Sequence, residues 1–169
     1  VHLDDRQLAQ LSNVDRRTLK LARIAIQRHL NLSASQWAVF DAVLHRREDV
    51  LLMGAPGTGK SHLLKILRDR MRSPLATAST AAAADKIGAI TLHSALSLGL
   101  GDKPVDEIMK RLTRANNAHG KETIKTLIHC KTLIIDEVSM LTAQLLRLAE
   151  ELLLKVRGRL PQLVVSGDP

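Results

Sequence analysis

Residues 50–61 read VLLMGAPGTGKS, a short apolar run followed by a glycine-rich stretch ending in lysine and serine. The spacing G-x-x-x-x-G-K-[ST] fits a loop whose backbone N–H groups surround a polyphosphate, because glycines let the chain turn tightly enough for those groups to converge. Gly54, Ala55, Pro56, Gly57, Thr58 and Gly59 would form that cradle. Lys60 would reach the β- and γ-phosphates, and the Ser61 hydroxyl suits a Mg²⁺ ion. The plainer alternative is a Gly/Pro turn between a strand and a helix. The apolar run in front and the helical stretch behind weigh toward the phosphate loop.

On either side of this loop, short apolar runs alternate with helical periodicity. Residues 49–53 read as a parallel strand covered on both faces. Residues 61–72 read as a helix that Pro74 stops, and residues 75–78 as a second strand. A small-residue helix is expected over 80–86, ended by Gly88, then a brief strand over 89–92 and a helix from His93. Gly99, Gly101 and Pro104 mark a turn before a helix over 105–114, and residues 115–121, with paired Asn and a Gly, suggest a mobile loop. Strands are expected at 132–135 and 163–166, with an amphipathic helix over 142–156 between them. The alternation makes an α/β fold with a mostly parallel sheet flanked by helices the natural solution.

In front of the loop, residues 3–30 are polar and helical in period, reading as two short helices broken near Ser12 and Asn13. Ser33 is a good N-cap, and Gln36 completes a capping box ahead of the stripe Val39, Phe40, Val43 and Leu44. The chain of 169 residues, 45% apolar, suffices for one core. A formal charge of +8 makes a polyanion a plausible partner, with a solvated basic surface as the alternative. Trp37 and Phe40 are the only aromatic residues of the Phe, Trp and Tyr class, so stacking platforms for single strands are nearly absent. Cys130 stands alone, which excludes an intrachain disulfide and a multi-cysteine metal site and fits a buried thiol. With no long apolar stretch and no signal segment, a soluble intracellular protein without membrane contact is expected. The chain opens at Val1 and stops at Pro169 directly after an apolar run, as a portion of a longer polypeptide would.

A second acidic motif narrows the chemistry. In TLIIDE, Asp136 ends an apolar strand and can hold Mg²⁺ through water, while Glu137 beside it can orient or deprotonate an attacking water. Such a pair can also cap a helix, but beside GAPGTGKS the metal and base roles prevail. Asp168, in the closing GDP, is either a turn former or, if its strand joins the same sheet, a neighbour of the γ-phosphate. The carboxamide of Gln36 offers a donor and an acceptor that match the N6 and N7 edge of adenine, a role compatible with the capping box.

Taken in order, LSASQWAVFDAVL, GAPGTGKS, TASTAAAADKIGAITLHSAL, TLIIDEVSML and LVVSGDP resemble the Pif-type DNA helicases of superfamily 1B and, less closely, RecD-like helicases. The resemblance runs from about Leu32 to the end, and its middle segment is the most discriminating. It implies a RecA-like phosphate-loop NTPase domain over 32–169, preceded by a helical extension over 1–31 that matches no element of the family. It also implies ATP-driven 5′ to 3′ movement on single-stranded DNA, with duties of the repair and recombination kind. Gln36 becomes the adenine reader, Gly57, Gly59, Lys60 and Ser61 the phosphate and Mg²⁺ residues, and Asp136 with Glu137 the acidic box. Ser79, Thr80, Thr91, His93 and Ser94 fall in segments that line the DNA path, with a packed histidine as the alternative for His93.

The family continues past GDP with a γ-phosphate-sensing Gln, a second RecA-like domain bearing arginine fingers, and a small inserted domain. Without those, the chain by itself should bind nucleotide weakly and turn it over poorly. Nuclear, mitochondrial, viral and bacterial origins are all compatible with the resemblance. Two rival readings are a nucleic-acid-binding module that keeps the loop without turnover, and a replication or transposition ATPase of the AAA+ type, which would need a helical lid with a sensor arginine.

Overall fold

A computed structural model describes residues 16–99 and 101–169. The expected break near Ser12 and Asn13, and the helix before it, lie outside the described residues. The chain divides into two compact units, the boundary in sequence falling after Trp37. In the first, helix α1 (Arg16–His29) ends at a turn where Gln27 Nε2 donates to Leu32 O at 3.2 Å. Helix α2 (Ala34–Leu44) starts in this unit and continues into the second. Its start is a reciprocal capping box: Gln36 N donates to Ser33 Oγ at 3.2 Å and Ser33 N to Gln36 Oε1 at 3.0 Å.

The second unit is built on five parallel strands in the order β1–β5–β4–β2–β3. These are β1 (Val50–Met53), β2 (Pro74–Ala78), β3 (Ile90–Thr91), β4 (Thr132–Asp136) and β5 (Gln162–Gly167). Between them run α3 (Lys60–Arg70), α4 (Ala81–Ile87), α5 (Leu92–Ala95), α6 (Val105–Leu112), α7 (Ala118–His129) and α8 (Ala143–Arg157), with a 3₁₀ turn at Val138–Met140. Every strand expected from the sequence is present, with ends shifted by a residue or two. The continuous apolar run of β4 fits a parallel strand covered on both faces, and β4 is buried throughout.

Register assigns each residue to a face. Ile134 pairs with Val164 and Ala76, and Ile135 with Val165 and Thr77. Because side chains alternate along a strand, Ile134, Asp136, Val164 and Ser166 share one face, and Leu133, Ile135, Leu163 and Val165 the other. The second face carries the main core, where Leu75, Leu133, Ile135 and Val165 meet Leu92, Leu96 and Ile108, with Leu127, Leu148 and Leu152 from the later helices. The expectation that residues 49–53 are covered on both faces fails for β1, an edge strand on which Leu51 and Met53 of this face are exposed.

The segment expected to be a mobile loop, residues 115–121, is helical from Ala118 onward. Asn117 is its N-cap, with Oδ1 accepting from Gly120 N at 2.8 Å. Gly120 is buried because the helix passes against the end of α6: a Cβ there would stand 2.4 Å from Leu112 O. The Asn and Gly that resemble loop formers are a cap and a close-packing residue.

Candidate functional site

The loop between β1 and α3 takes the shape its glycines require. Gly57 and Gly59 have φ of 83° and 85°, a left-handed backbone that glycine adopts without strain. Thr58 closes the turn on Ala55 O, through Oγ1 at 2.8 Å and N at 3.3 Å. The loop feeds directly into α3, whose N-cap Gly59 contributes no side-chain cap. Amide groups at that end of the helix therefore have no side-chain cap, an arrangement suited to an anion.

Lys60 folds back over the loop. Its Nζ donates to Gly54 O at 2.5 Å and Ala55 O at 3.3 Å, and pairs with Asp168 Oδ1 at 2.6 Å. Asp168, a weak sequence signal on its own, reaches this position because β5 lies next to β1. Ser61 Oγ donates to Asp136 Oδ2 at 2.9 Å, on the sheet face that α3 contacts. Asp136 is almost wholly buried, at 1% exposure, and its carboxylate is fully served: Ser166 Oγ bonds Oδ1, as does Glu137 N at 3.0 Å. Burying a carboxylate is costly without such donors.

Ser166 was not among the residues singled out from the sequence. A lone serine in an apolar strand carries no signal until the strand order puts β5 beside β4. Glu137 is half-buried, and its backbone is left-handed at φ 57° and ψ 45°, a strained conformation for a non-glycine residue. The strain turns the chain sharply at the strand end, from Asp136 on the ladder into the 3₁₀ turn.

The remaining expected residues of the second unit lie along the same edge. Ala78 pairs with Asp136 on one side and Thr91 on the other, so Ser79, Thr80 and Thr91 follow adjacent strand ends. Ser79 N donates to Asp136 O at 3.1 Å, while its hydroxyl is turned inward with no hydrogen-bond partner. Thr80 caps α4 through Ala83 N, and Thr91 caps α5 through Ser94 N, each at 3.2 Å. Thr91 Oγ1 also donates to Ser94 Oγ at 2.9 Å; Ser94 is exposed and His93 half-buried. Gln36 belongs to the first unit, where its observed role is the capping box. Among the described residues no three His, Cys, Asp or Glu side chains gather as a metal cluster, and no helix is long and apolar enough to cross a membrane.

The parallel sheet, the loop at the end of its edge strand and the carboxylate at the end of β4 define a RecA-like phosphate-loop domain. The profile of the PIF1-like helicase family matches residues 31–165. The chain is 38% identical over 148 residues to the ATP-dependent DNA helicase PIF1 of Emericella nidulans, an alignment covering 79% of this chain and 19% of that protein. It is 35% identical to human ATP-dependent DNA helicase PIF1, over 81% of this chain and 21% of that one. Among solved structures, the Pif1 helicase from Candida albicans superposes with a TM-score of 0.72 at 36% identity, covering 81% of this chain and 32% of its own. The Pif1 helicase from Bacteroides in complex with ADP-AlF3 and ssDNA gives 0.66 at 25% identity, over 80% of this chain and 32% of that one. The chain belongs to the PIF1-like helicase family, and it spans about a fifth of the length of these curated relatives.

Proposed function

We propose that this chain is the nucleotide-binding motor domain of an ATP-dependent DNA helicase. In this reading residues 32–169 form the first RecA-like domain and residues 1–31 a helical extension. The observation that carries it is the convergence of Lys60, Ser61, Asp136 and Asp168, from three parts of the chain, at one end of the parallel sheet. The relatives named ATP-dependent DNA helicases, and the Bacteroides structure holding ADP-AlF3 and ssDNA, support the substrate classes.

The loop amides from Gly54 to Gly59 receive the phosphates, and Lys60 exchanges part of its present pairing for the β- and γ-phosphates. Glu137 accepts the proton of the attacking water, and Asp168 holds the lysine toward the γ-phosphate. Ser61 and Asp136 are the residues that would hold Mg²⁺. Their oxygen donors suit a hard ion that keeps several waters and substrate phosphates. An ion held there would supply positive charge against that developing on the phosphates. Gln36 reads adenine by exchanging its bond from Ser33 N for the base edge.

Single-stranded DNA runs past Ser79, Thr80, Thr91, His93 and Ser94. Hydrolysis drives 5′ to 3′ movement once a second RecA-like domain of the same polypeptide closes the site. The protein works inside the cell, off the membrane. Strand displacement by the intact polypeptide on forked duplexes tests this. Unwinding should require ATP and Mg²⁺, prefer a 5′ single-stranded tail, and vanish in Lys60→Ala. Unwinding of 3′-tailed duplexes alone, or full activity in Lys60→Ala, would refute the assignment.

A further inference from the structure

Beside Thr91 and Ser94 the surface opens into a cleft of about 590 Å³ between the β3–α5 segment and the α6–α7 junction. Among the described residues its ionisable lining groups are His93, Arg111 and His119, with no carboxylate. Arg111 is fixed at one corner: Nη2 donates to Ser97 O, and Gly99 passes so close that a Cβ there would stand 3.3 Å from Nη1. Only one of the five guanidinium N–H groups is used by that bond. Asn117 Nδ2 donates to Arg111 O at 2.8 Å, tying the start of α7 to the residue that carries the cation. His119, in the first turn of the same twelve-residue helix, is exposed and lies 3.4 Å from Ser97 Oγ through Nε2. Ile90, half-exposed, adds an apolar surface at the rim.

A cation, two imidazoles and the positive end of a helix call for an anion. The exposed Ser94 hydroxyl on one wall and Ile90 beside it suit an anion that continues into sugar and base. We propose that this cleft is a phosphodiester-binding pocket for the single strand, with Arg111 and His119 as its principal contacts. The proposal rests on the strand path past Thr91, His93 and Ser94, and extends that path onto α6 and α7. None of the family motifs quoted above includes Arg111 or His119.

The test is binding of a fluorescein-labelled oligothymidylate to the full chain, followed by anisotropy across a KCl series. Each phosphate contact on a single strand adds about 0.7 to the slope of log affinity against log salt. Arg111→Gln should weaken binding and lower that slope by about 0.7, whereas Arg111→Lys, which keeps the charge, should keep the slope. His119→Gln should weaken binding without shifting the thermal midpoint. Thr91→Val combined with Ser94→Ala reports on the underlying path. If that pair weakens binding while Arg111→Gln and His119→Gln do not, the pocket is refuted and the path stands. If all the variants bind as the parent does, both are refuted. In a Lys60→Ala background, Arg111-dependent binding of inorganic phosphate with unchanged oligonucleotide affinity would mark a free-anion pocket and overturn the strand assignment.

Discussion

Glu137 occupies left-handed backbone that costs a non-glycine residue about 1–2 kcal/mol, and that cost is borne beside the carboxylate proposed for the metal ion. Glycine adopts the same backbone freely but loses more entropy on folding, about 0.5–1 kcal/mol. Glu137→Gly should therefore leave the stability of the chain unchanged or raise it by up to about 1.5 kcal/mol, while removing the proposed base. A urea midpoint that falls would contradict this. Burial pushes the Cys130 thiol above its ordinary value, with Sγ 3.4 Å from Thr132 O. The unfolded chain then releases this proton at lower pH than the folded one, so the contribution to stability is intact below the ordinary thiol value of 9.0 and declines as pH rises above it. Iodoacetamide should label Cys130 only as fast as the chain unfolds, and rapid labelling under native conditions would contradict the burial. At this scale Lys60, Ser61 and Asp136 were legible in the sequence because loop spacing and a strand-end carboxylate carry their own chemistry. Ser166 was not, because a serine's partner depends on which strand lies next to it.

Helix α7 is where local signals and tertiary structure part. Gly120 is a poor helix former, and alanine there would ordinarily gain about 1 kcal/mol. Yet a Cβ would stand 2.4 Å from Leu112 O and 2.8 Å from Leu112 Cα, both backbone atoms that cannot swing away. Gly120→Ala should therefore destabilise the chain by about 1–3 kcal/mol, as overpacking does, reversing the sign expected from propensity. Thermal unfolding of that variant decides between them: a raised midpoint would mean that α6 and α7 do not approach so closely. The strands were easier to read than this helix. A run such as TLII is continuous because β4 is covered on both faces, a property of the element itself, whereas the helix start at Asn117 depends on contacts with the end of α6.

Across the whole molecule, chain order and spatial order differ, and the site exists because of that difference. The last strand inserts between the first and the fourth, which brings Asp168 to Lys60 across 108 positions and sets Ser166 beside Asp136. The strand order itself was not readable, since the sequence gives alternating elements and leaves their neighbours open. Asp168 gains its weight from position, at the end of a strand expected near the γ-phosphate, and the observed order sets that strand beside β1. With β2 and β3 continuing the sheet beyond β4, the proposed DNA-path residues follow strand ends on the same edge as the carboxylates, and Ser79 N–H is bonded directly to Asp136 O. Hydrolysis and strand contact would thus share one sheet edge. The most direct test is DNA-stimulated ATP hydrolysis by the intact polypeptide carrying Glu137→Gln. Loss of a positioned general base should lower turnover by about 10²–10⁴-fold while ATP and oligonucleotide binding persist. Stimulated hydrolysis at the parent rate would contradict the claim that this edge of the sheet is the motor site.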